Sequence, residues 1–405
     1  MRILVSAYSC EPGRGSEPGV GWNFVSQLAR RHDVWSLTRA THRPAIEAEL
    51  SRHPIERLTP IYFDLPRWLH GRERGRSGEH RHYYLWQAAV YPLARRLHRS
   101  LSFDVVHHVT FAKYWVPSFI CLVTAPFVWG PVGGGESTPA PLLPTLTFRG
   151  RSFESARAAA RAVASWDPFV RLTARRSRLA LATTADTAVR LGRLHAAHVE
   201  VCSQVGLSTE DFDALGAGQR SEDQPFTLIS LGQLLHFKGF DLGLKAFARA
   251  GIDAEYLIVG DGPERDRLRA LAERLGVADR VKFTGYVPRV EALRLLQMAD
   301  ALMHPALHDS GGWVCLEAMA ASKPVICLGS GGPAEQVTPD SGIIVPAADP
   351  STAVALLTAA VERLAADPEL RERMGRAGRT RVRDHYLWPA KIDRIEQLYA
   401  TVLGA

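Results

Sequence analysis

Cysteine is scarce in this chain and never closely paired. Only five occur in 405 residues (Cys10, Cys121, Cys202, Cys315, Cys327), and no two stand in C-x-x-C spacing. That argues against a disulfide framework or a zinc site and suits a reducing compartment. Long apolar runs are missing as well: no stretch reaches the roughly 18 residues a membrane-spanning helix needs, so none is expected. The opening MRILVSAYSC has the apolar character of a short signal peptide. Glu11 and Pro12 follow directly, however, without a small-residue cleavage site, so a buried first strand is expected instead. Charge of one sign is only in mild excess, at +7. This is compatible with acidic ligands or an anionic membrane surface, but too sparse for a nucleic-acid partner.

What is present is the composition of an ordinary soluble globular protein, 46% hydrophobic and 22% charged. The length allows about two to three domains. Short apolar runs alternate with helical stretches, which predicts parallel sheets with helices on both faces. The first half carries strand patterns at 2–7, 33–37, 104–109, 126–129 and 179–183, and helical patterns at 20–30, 84–101, 153–178 and 187–194. A Gly-, Asp- and Ser-rich stretch, 207–225, reads as a linker. Beyond it the rhythm restarts, with strands at 227–231, 255–259, 281–284 and 301–304 and helices at 241–250, 264–275 and 289–298. The expected division is a Rossmann-like domain over 1–205, a second over 206–385, and a terminal helix within 386–405 that packs back on the first. In doubly wound sheets ligands bind beyond the carboxyl ends of the strands, which here predicts a crevice between the two domains.

The most informative segment is Asp309–Val337, DSGGWVCLEAMAASKPVICLGSGGPAEQV. An acid and two glycines, Gly311 and Gly312, precede a helical pattern over 313–322, and a short apolar strand follows at 325–328. Exposed glycines at a helix start let several backbone N–H groups converge on an anion, and the helix dipole adds to the attraction. Asp309 and Glu317 are separated by seven residues, and Glu317 lies about one turn into the helix, within reach of a sugar hydroxyl beside a bound phosphate. Read alone, the segment equally describes a packing helix with a solvated glutamate.

Three further strand-end turns accompany it. LGQLLHFKG, Leu231–Gly239, places Gly232, Gln233 and Lys238 after a strand, where an ammonium can neutralise a diphosphate. IVGDGP, 258–263, sets Gly260, Gly262 and Pro263 between a strand and a helix. VKFTGYV carries Phe283, Gly285 and Val287, whose backbone groups could meet a planar base. Each is common in α/β proteins. In this order and spacing they resemble the retaining glycosyltransferases of family 4, strongly over about 227–345 and more loosely elsewhere.

That resemblance implies an α/β fold of the GT-B type, with two facing Rossmann-like domains, and a nucleotide-sugar donor with no metal or other cofactor. It implies that Lys238 serves the donor diphosphate, Asp309 the donor sugar and Glu317 the ribose. Ser310, Gly311 and Gly312 would hold phosphate and sugar oxygens through backbone N–H groups, and Val287 would border the base. Two positions depart from the family pattern. Gln233 stands where arginine is common, exchanging a charge-assisted hydrogen bond for a neutral one, with His236 a candidate compensating cation. Asp309 stands where glutamate is usual, one methylene shorter.

The first half is less explicit. Gly13–Gly21 lies between the first strand and its helix, but its third glycine comes too late for the dinucleotide fingerprint. The resemblance implies that this loop borders diphosphate and acceptor, with Gly19 and Gly21 permitting close approach. It also implies a histidine near the transferred sugar just beyond a D-V-V-H strand. Either His107 or His108 could fill that role, and a structural histidine is an equal reading for each. Glu136, after Gly133–Gly135, is a candidate acceptor contact. Asp211-Phe212-Asp213 has the form of a metal-binding D-x-D but falls in the linker pattern, and no role is expected for it.

Arginines at 72, 74, 76, 81, 95, 96 and 99 interleave with Trp68, Tyr83, Tyr84, Trp86 and Tyr91, and a second basic stretch covers 149–178. They read either as solvated helix faces or as an interfacial patch for anionic lipid. The function expected is transfer of a hexose from a UDP- or GDP-sugar to a hydroxyl of a glycan or lipid-linked acceptor in bacterial polysaccharide or lipopolysaccharide assembly. The enzyme would be cytoplasmic, at or near the inner membrane face. The rival expectations are a sugar-nucleotide epimerase, a phosphorylase, or a non-catalytic sugar-nucleotide-binding subunit.

Overall fold

A computed structural model of the chain describes residues 1–66, 76–216 and 225–404. The chain divides into two units. The first comprises Met1–Gly135, Ala159–Gln204 and Trp388–Ala405; the second comprises Glu136–Ala158 and Val205–Leu387. The excursion of Glu136–Ala158 into the second unit breaks the simple division at residue 205.

The first unit is built on seven parallel strands: β1 (Arg2–Ser6), β2 (Asp33–Thr38), β3 (Leu58–Tyr62), β4 (Val105–His108), β5 (Phe127–Val132), β6 (Leu179–Ala182) and β7 (Val199–Val201). Their order is β3-β2-β1-β4-β5-β6-β7, with Leu4 level with Trp35 on one side and Val106 on the other. The central strands are apolar at nearly every position because helices cover both faces. The sequence pattern overlooked β3 and β7, the two edges. β3 contains Pro60, which a central strand would exclude and an edge tolerates, and β7 has only three residues.

The helix Arg76–Leu101 places Tyr83, Trp86, Val90 and Ala94 in the core, at helical spacing. Trp86 Nε1 donates to Phe63 O at 2.9 Å. Arg81, Arg95, Arg96 and Arg99 lie exposed. The interleaved aromatics and arginines of this stretch therefore sort into an inner and an outer face, which corrects the reading of Tyr83 and Trp86 as interfacial residues. Trp68, Arg72 and Arg74 lie outside the described residues.

The second unit has six parallel strands: β8 (Phe226–Leu231), β9 (Ala254–Val259), β10 (Val281–Gly285), β11 (Ala301–His304), β12 (Val325–Leu328) and β13 (Gly342–Val345). The order β10-β9-β8-β11-β12-β13 reverses direction between β8 and β11, where Ile229 is level with Leu302. The loops after those two strands consequently leave the sheet side by side at the switch point. One carries Lys238 and the other Asp309.

Asp-Pro junctions define three helix starts. The expected helix over 153–178 is two helices, Phe148–Ala164 and Pro168–Arg176, because Asp167 caps the second by accepting from Phe169 N at 2.8 Å, with Pro168 at its first position. Asp349 and Asp367 cap Pro350–Ala366 and Pro368–His385 in the same way. The linker pattern hides a further helix, Thr209–Gly216, held by buried Phe212 and Leu215; residues 217–224 lie outside the described residues. No described helix is long and apolar enough to cross a membrane.

Candidate functional site

The loop after β8 turns through His236–Lys238 and leaves by Gly239 at φ +65°, where a Cβ would stand 1.9 Å from Pro305 O. A glycine is required there both for the left-handed backbone and for the close approach. Leu307 N donates to Phe237 O at 2.8 Å, locking this turn to the loop after β11. The result is an ion pair, Lys238 Nζ to Asp309 Oδ2 at 2.5 Å. Asp309 Oδ1 accepts from Gly311 N at 3.1 Å and Gly312 N at 3.3 Å. Burial opposes ionisation of Asp309, but the Lys238 ammonium and His304, 3.2 Å from Oδ2, hold its carboxyl well below the usual range. Burial lowers His304 in turn.

Gly311 and Gly312 thus lead into the helix Trp313–Ala320 as expected, with Gly312 in the left-handed region at φ +59°. Two of the amides assigned to phosphate nevertheless bond the Asp309 carboxylate in this state. The buried Gln336 side chain, which the sequence reading did not single out, braces the loop by donating to Gly311 O at 2.5 Å. Gly332 N donates to Asp309 O at 2.7 Å.

Glu317 lies on the same helix with its side chain 13% exposed, and Arg289 Nη2 donates to its Oε1 at 2.9 Å. Burial raises the Glu317 pKa, and the Arg289 guanidinium opposes that rise. The glycines of the other strand-end turns knit together: Gly232 N donates to Val259 O and Gly260 N to Gly285 O, each at 3.0 Å. Gly262 packs against Leu234, while Gln233 and Pro263 are exposed. Phe283 is half-buried against the core, with the Arg269 guanidinium 5.8 Å from its ring centre. Val287 is partly buried against a hydrophobic cluster of the second unit, and Tyr286 between Gly285 and Val287 is 81% exposed. The structure therefore gathers Lys238, Asp309, Ser310, Gly311 and Gly312 at the switch point, with Glu317 one turn along.

The model of the glycosyl transferases group 1 family matches residues 211–381. A 2-deoxystreptamine N-acetyl-D-glucosaminyltransferase of Streptomyces fradiae is 30% identical over 305 residues, covering 70% of this chain and 68% of that protein. The chain belongs to the group 1 glycosyl transferases. A second relative, the lipopolysaccharide core biosynthesis glycosyltransferase LpsD of Rhizobium meliloti (strain 1021), is 33% identical over 175 residues. That match covers 43% of this chain and 49% of LpsD, about half its length. The crystal structure of Anabaena HepE in complex with UDP superposes with a TM-score of 0.63 over 99% of each chain at 15% identity, a likeness of fold. The architecture of this group 1 chain is accordingly GT-B, two α/β units with sheets of seven and six parallel strands.

Several first-half residues of the group 1 chain are placed otherwise than expected. Gly19 and Gly21 lie inside the helix Ser16–Leu28 rather than in a loop. A Cβ on Gly21 would stand 2.1 Å from Ser9 O, so this glycine serves helix packing. His107 and His108 are fully buried. His107 Nε2 donates to Gly130 O at 2.6 Å, leaving Nδ1 to accept from Tyr399 OH at 2.5 Å. His108 Nε2 lies 3.0 Å from Thr110 O and 2.8 Å from Tyr83 OH, with Nδ1 2.6 Å from Ser118 Oγ. Burial brings them down to about 3 and about 4 respectively. Both rings are engaged at both nitrogens, an arrangement that fits the structural alternative.

Glu136 is buried and accepts from Ser310 Oγ, so it supports the Asp309 loop. Glu154, Arg157 and His308 were not anticipated. Glu154 lies 2.9 Å from Arg157 Nη1 and 3.3 Å from both His308 and His236. Burial raises its pKa, but His308, Arg157 and His236 bring it down to about 2. The proposed compensating group, His236, is thus already paired with a carboxylate. These residues escaped notice because Glu154 lies more than 80 positions from His236 and His308, as Arg157 does from His308, and no local spacing marks them.

Proposed function

We propose that this group 1 chain is a retaining glycosyltransferase that moves a hexose from a UDP- or GDP-sugar to a hydroxyl of a glycan or lipid-linked acceptor. The observation that carries the reading is the meeting of Lys238, Asp309 and the glycine-led mouth of the helix Trp313–Ala320 at the switch point of a parallel sheet. An ammonium has three donors, so Lys238 can hold Asp309 and a diphosphate oxygen together. As the glycosidic bond breaks, negative charge grows on the departing diphosphate. A fixed cation and amide dipoles aimed at that position stabilise it more than they stabilise the bound donor. In this reading no metal is required, and Asp309 faces the donor sugar while Glu317 faces the ribose. The UDP complex of HepE and the lipopolysaccharide role in the name of LpsD support a nucleotide-sugar donor and a glycan acceptor.

A thermal-shift panel of UDP, GDP, ADP and their sugars tests it, because a ligand that binds only the folded chain stabilises it by about 2.7 kcal/mol at 100 times its Kd. One nucleoside diphosphate and its sugar should raise Tm by several degrees, and transfer should follow with a hydroxyl acceptor. No shift with any of them contradicts the reading.

Contact with anionic lipid belongs to the same proposal. Trp166, 72% exposed, carries the Arg171 guanidinium 4.8 Å from its ring centre, and Phe169, three residues on in sequence, is 46% exposed. An aromatic and a cation presented together suit a headgroup layer. Trp166→Ser with Arg171→Gln should reduce co-sedimentation with anionic vesicles at low salt several-fold; unchanged binding removes this surface from the account.

A further inference from the structure

The Asp211-Phe212-Asp213 sequence found no place in the mechanism, yet Asp211 is joined to it by one side chain. Arg289 Nη1 and Nη2 each lie 3.2 Å from Asp211, on Oδ1 and Oδ2 respectively, and Nη2 also donates to Glu317 Oε1 at 2.9 Å. Three helices meet through this guanidinium: Thr209–Gly216, Arg289–Met298 and Trp313–Ala320. We propose that Arg289 is a positioning residue, anchored end-on by Asp211, that fixes the Glu317 carboxylate as an ionised acceptor for the ribose hydroxyls of the donor nucleotide. The inference rests on the nucleotide-sugar reading of the site.

The geometry suits that task. A planar guanidinium bound at both nitrogens by one carboxylate has a fixed direction, which a lysine would not supply. It takes Oε1 of Glu317, and Oε2 has no part in that bond. The Glu317 side chain is mostly buried whereas Arg289 is 45% exposed, so the cation stays hydrated while the acceptor is sheltered.

Ionisation is the point at which Arg289 acts. Burial raises Glu317, Arg289 opposes it, and Asp211 adds to the rise. The charged groups on the other elements packed against this helix are engaged elsewhere. Arg379, on Pro368–His385, donates to the carbonyls of Phe212 and Ala320. Lys238, Asp309 and His304 form their own cluster, and Glu335 lies on the adjacent Gly331–Gln336. Removing Arg289 takes away the group that opposes this rise, and a protonated carboxyl is a poorer acceptor for two hydroxyls.

The test titrates the preferred nucleoside diphosphate and its 2′-deoxy analogue (UDP against dUDP, or GDP against dGDP) between pH 6 and 8.5. Wild type should favour the ribonucleotide about tenfold at every pH. In Arg289→Gln the ratio should fall toward one at pH 6 and recover toward pH 8.5, and Arg289→Lys should restore part of it. A merely structural role would weaken both nucleotides alike and leave the ratio flat. Asp211→Asn gives a second comparison that keeps the cation and loosens its anchor; its ratio should lie between those of wild type and Arg289→Gln. A wild-type ratio of one, or an Arg289→Gln ratio equal to wild type throughout, overturns the proposal. Failure of wild type to bind any nucleoside diphosphate instead overturns the reading on which it rests.

Discussion

Lys238→Ala is expected to weaken binding of the donor diphosphate by about 10- to 150-fold, the loss of one charge-assisted hydrogen bond worth ~1.5–3 kcal/mol. Titration calorimetry with the diphosphate and with the bare nucleoside separates this effect from general damage, because the nucleoside should lose little. The substitution also removes the cation that holds Asp309 ionised in a largely buried place. Breaking one side of such a pair costs about 3–5 kcal/mol, so the variant should denature at lower urea. Since the folded pKa of Asp309 is depressed, the pair's contribution is present above about pH 4 and fades only as pH falls through the folded value. Lys238→Ala should therefore lie closest to wild type in stability in acid. The double variant Lys238→Ala with Asp309→Asn should regain much of the stability and none of the diphosphate affinity. Unchanged diphosphate affinity in Lys238→Ala would remove the lysine from the site.

Asp309→Asn is expected to separate binding from turnover. Asparagine keeps an oxygen for Gly311 N and Gly312 N, so the turn into the helix Trp313–Ala320 should survive. What it gives up is the negative charge. Lys238 loses its partner and becomes fully available to the diphosphate, so affinity for the nucleotide should hold or rise. Transfer should fall by about 10- to 150-fold, because a charged acceptor for a donor-sugar hydroxyl becomes a neutral one. Steady-state rates with direct binding measurements check the pair of effects. A variant with wild-type turnover would place Asp309 in support of the loop alone.

The reach of the sequence differed sharply between the two units. In the second unit, the apolar runs at 301–304 and 325–328 and the helical run at 289–298 coincide with the strands and helix at those positions. Glycine marked the turns between them, because the backbone at Gly232, Gly239, Gly260, Gly285 and Gly312 enters the left-handed or another positive-φ region. Linear spacing therefore carried the loop geometry. In the first unit the same signals misled. Glycines at 19 and 21 read as a ligand loop, whereas they lie within a helix that approaches Ser9 closely. Tyrosine, tryptophan and arginine over 81–99 left solvated helix faces and an interfacial patch both open, although i, i+3, i+7 spacing from Tyr83 already sorted Tyr83, Trp86 and Val90 to one face.

What stayed illegible was contact between distant segments. Nothing near Glu317 announces Arg289, 28 residues earlier, and nothing near Arg289 announces Asp211, a further 78 residues back. The Gly, Asp and Ser around Asp211 suggest a linker, yet Phe212 and Leu215, three residues apart, are the amphipathic signal of a short buried helix. Likewise the Asp-Pro pairs at 167, 349 and 367 were visible helix-start signals. The partners of His107 and His108 were equally invisible, because a histidine on an apolar strand looks the same whether its ring nitrogens meet a substrate or a tyrosine.

The central claim is that a nucleoside diphosphate is held by the Lys238 ammonium and the amides that open the helix Trp313–Ala320. A crystal structure with the preferred nucleoside diphosphate bound measures this directly. Diphosphate oxygens should lie about 2.7–3.2 Å from Lys238 Nζ and from at least one amide nitrogen between Gly311 and Val314. A diphosphate bound elsewhere, with the contacts of Lys238 and Gly311–Gly312 to Asp309 unchanged, would contradict the account.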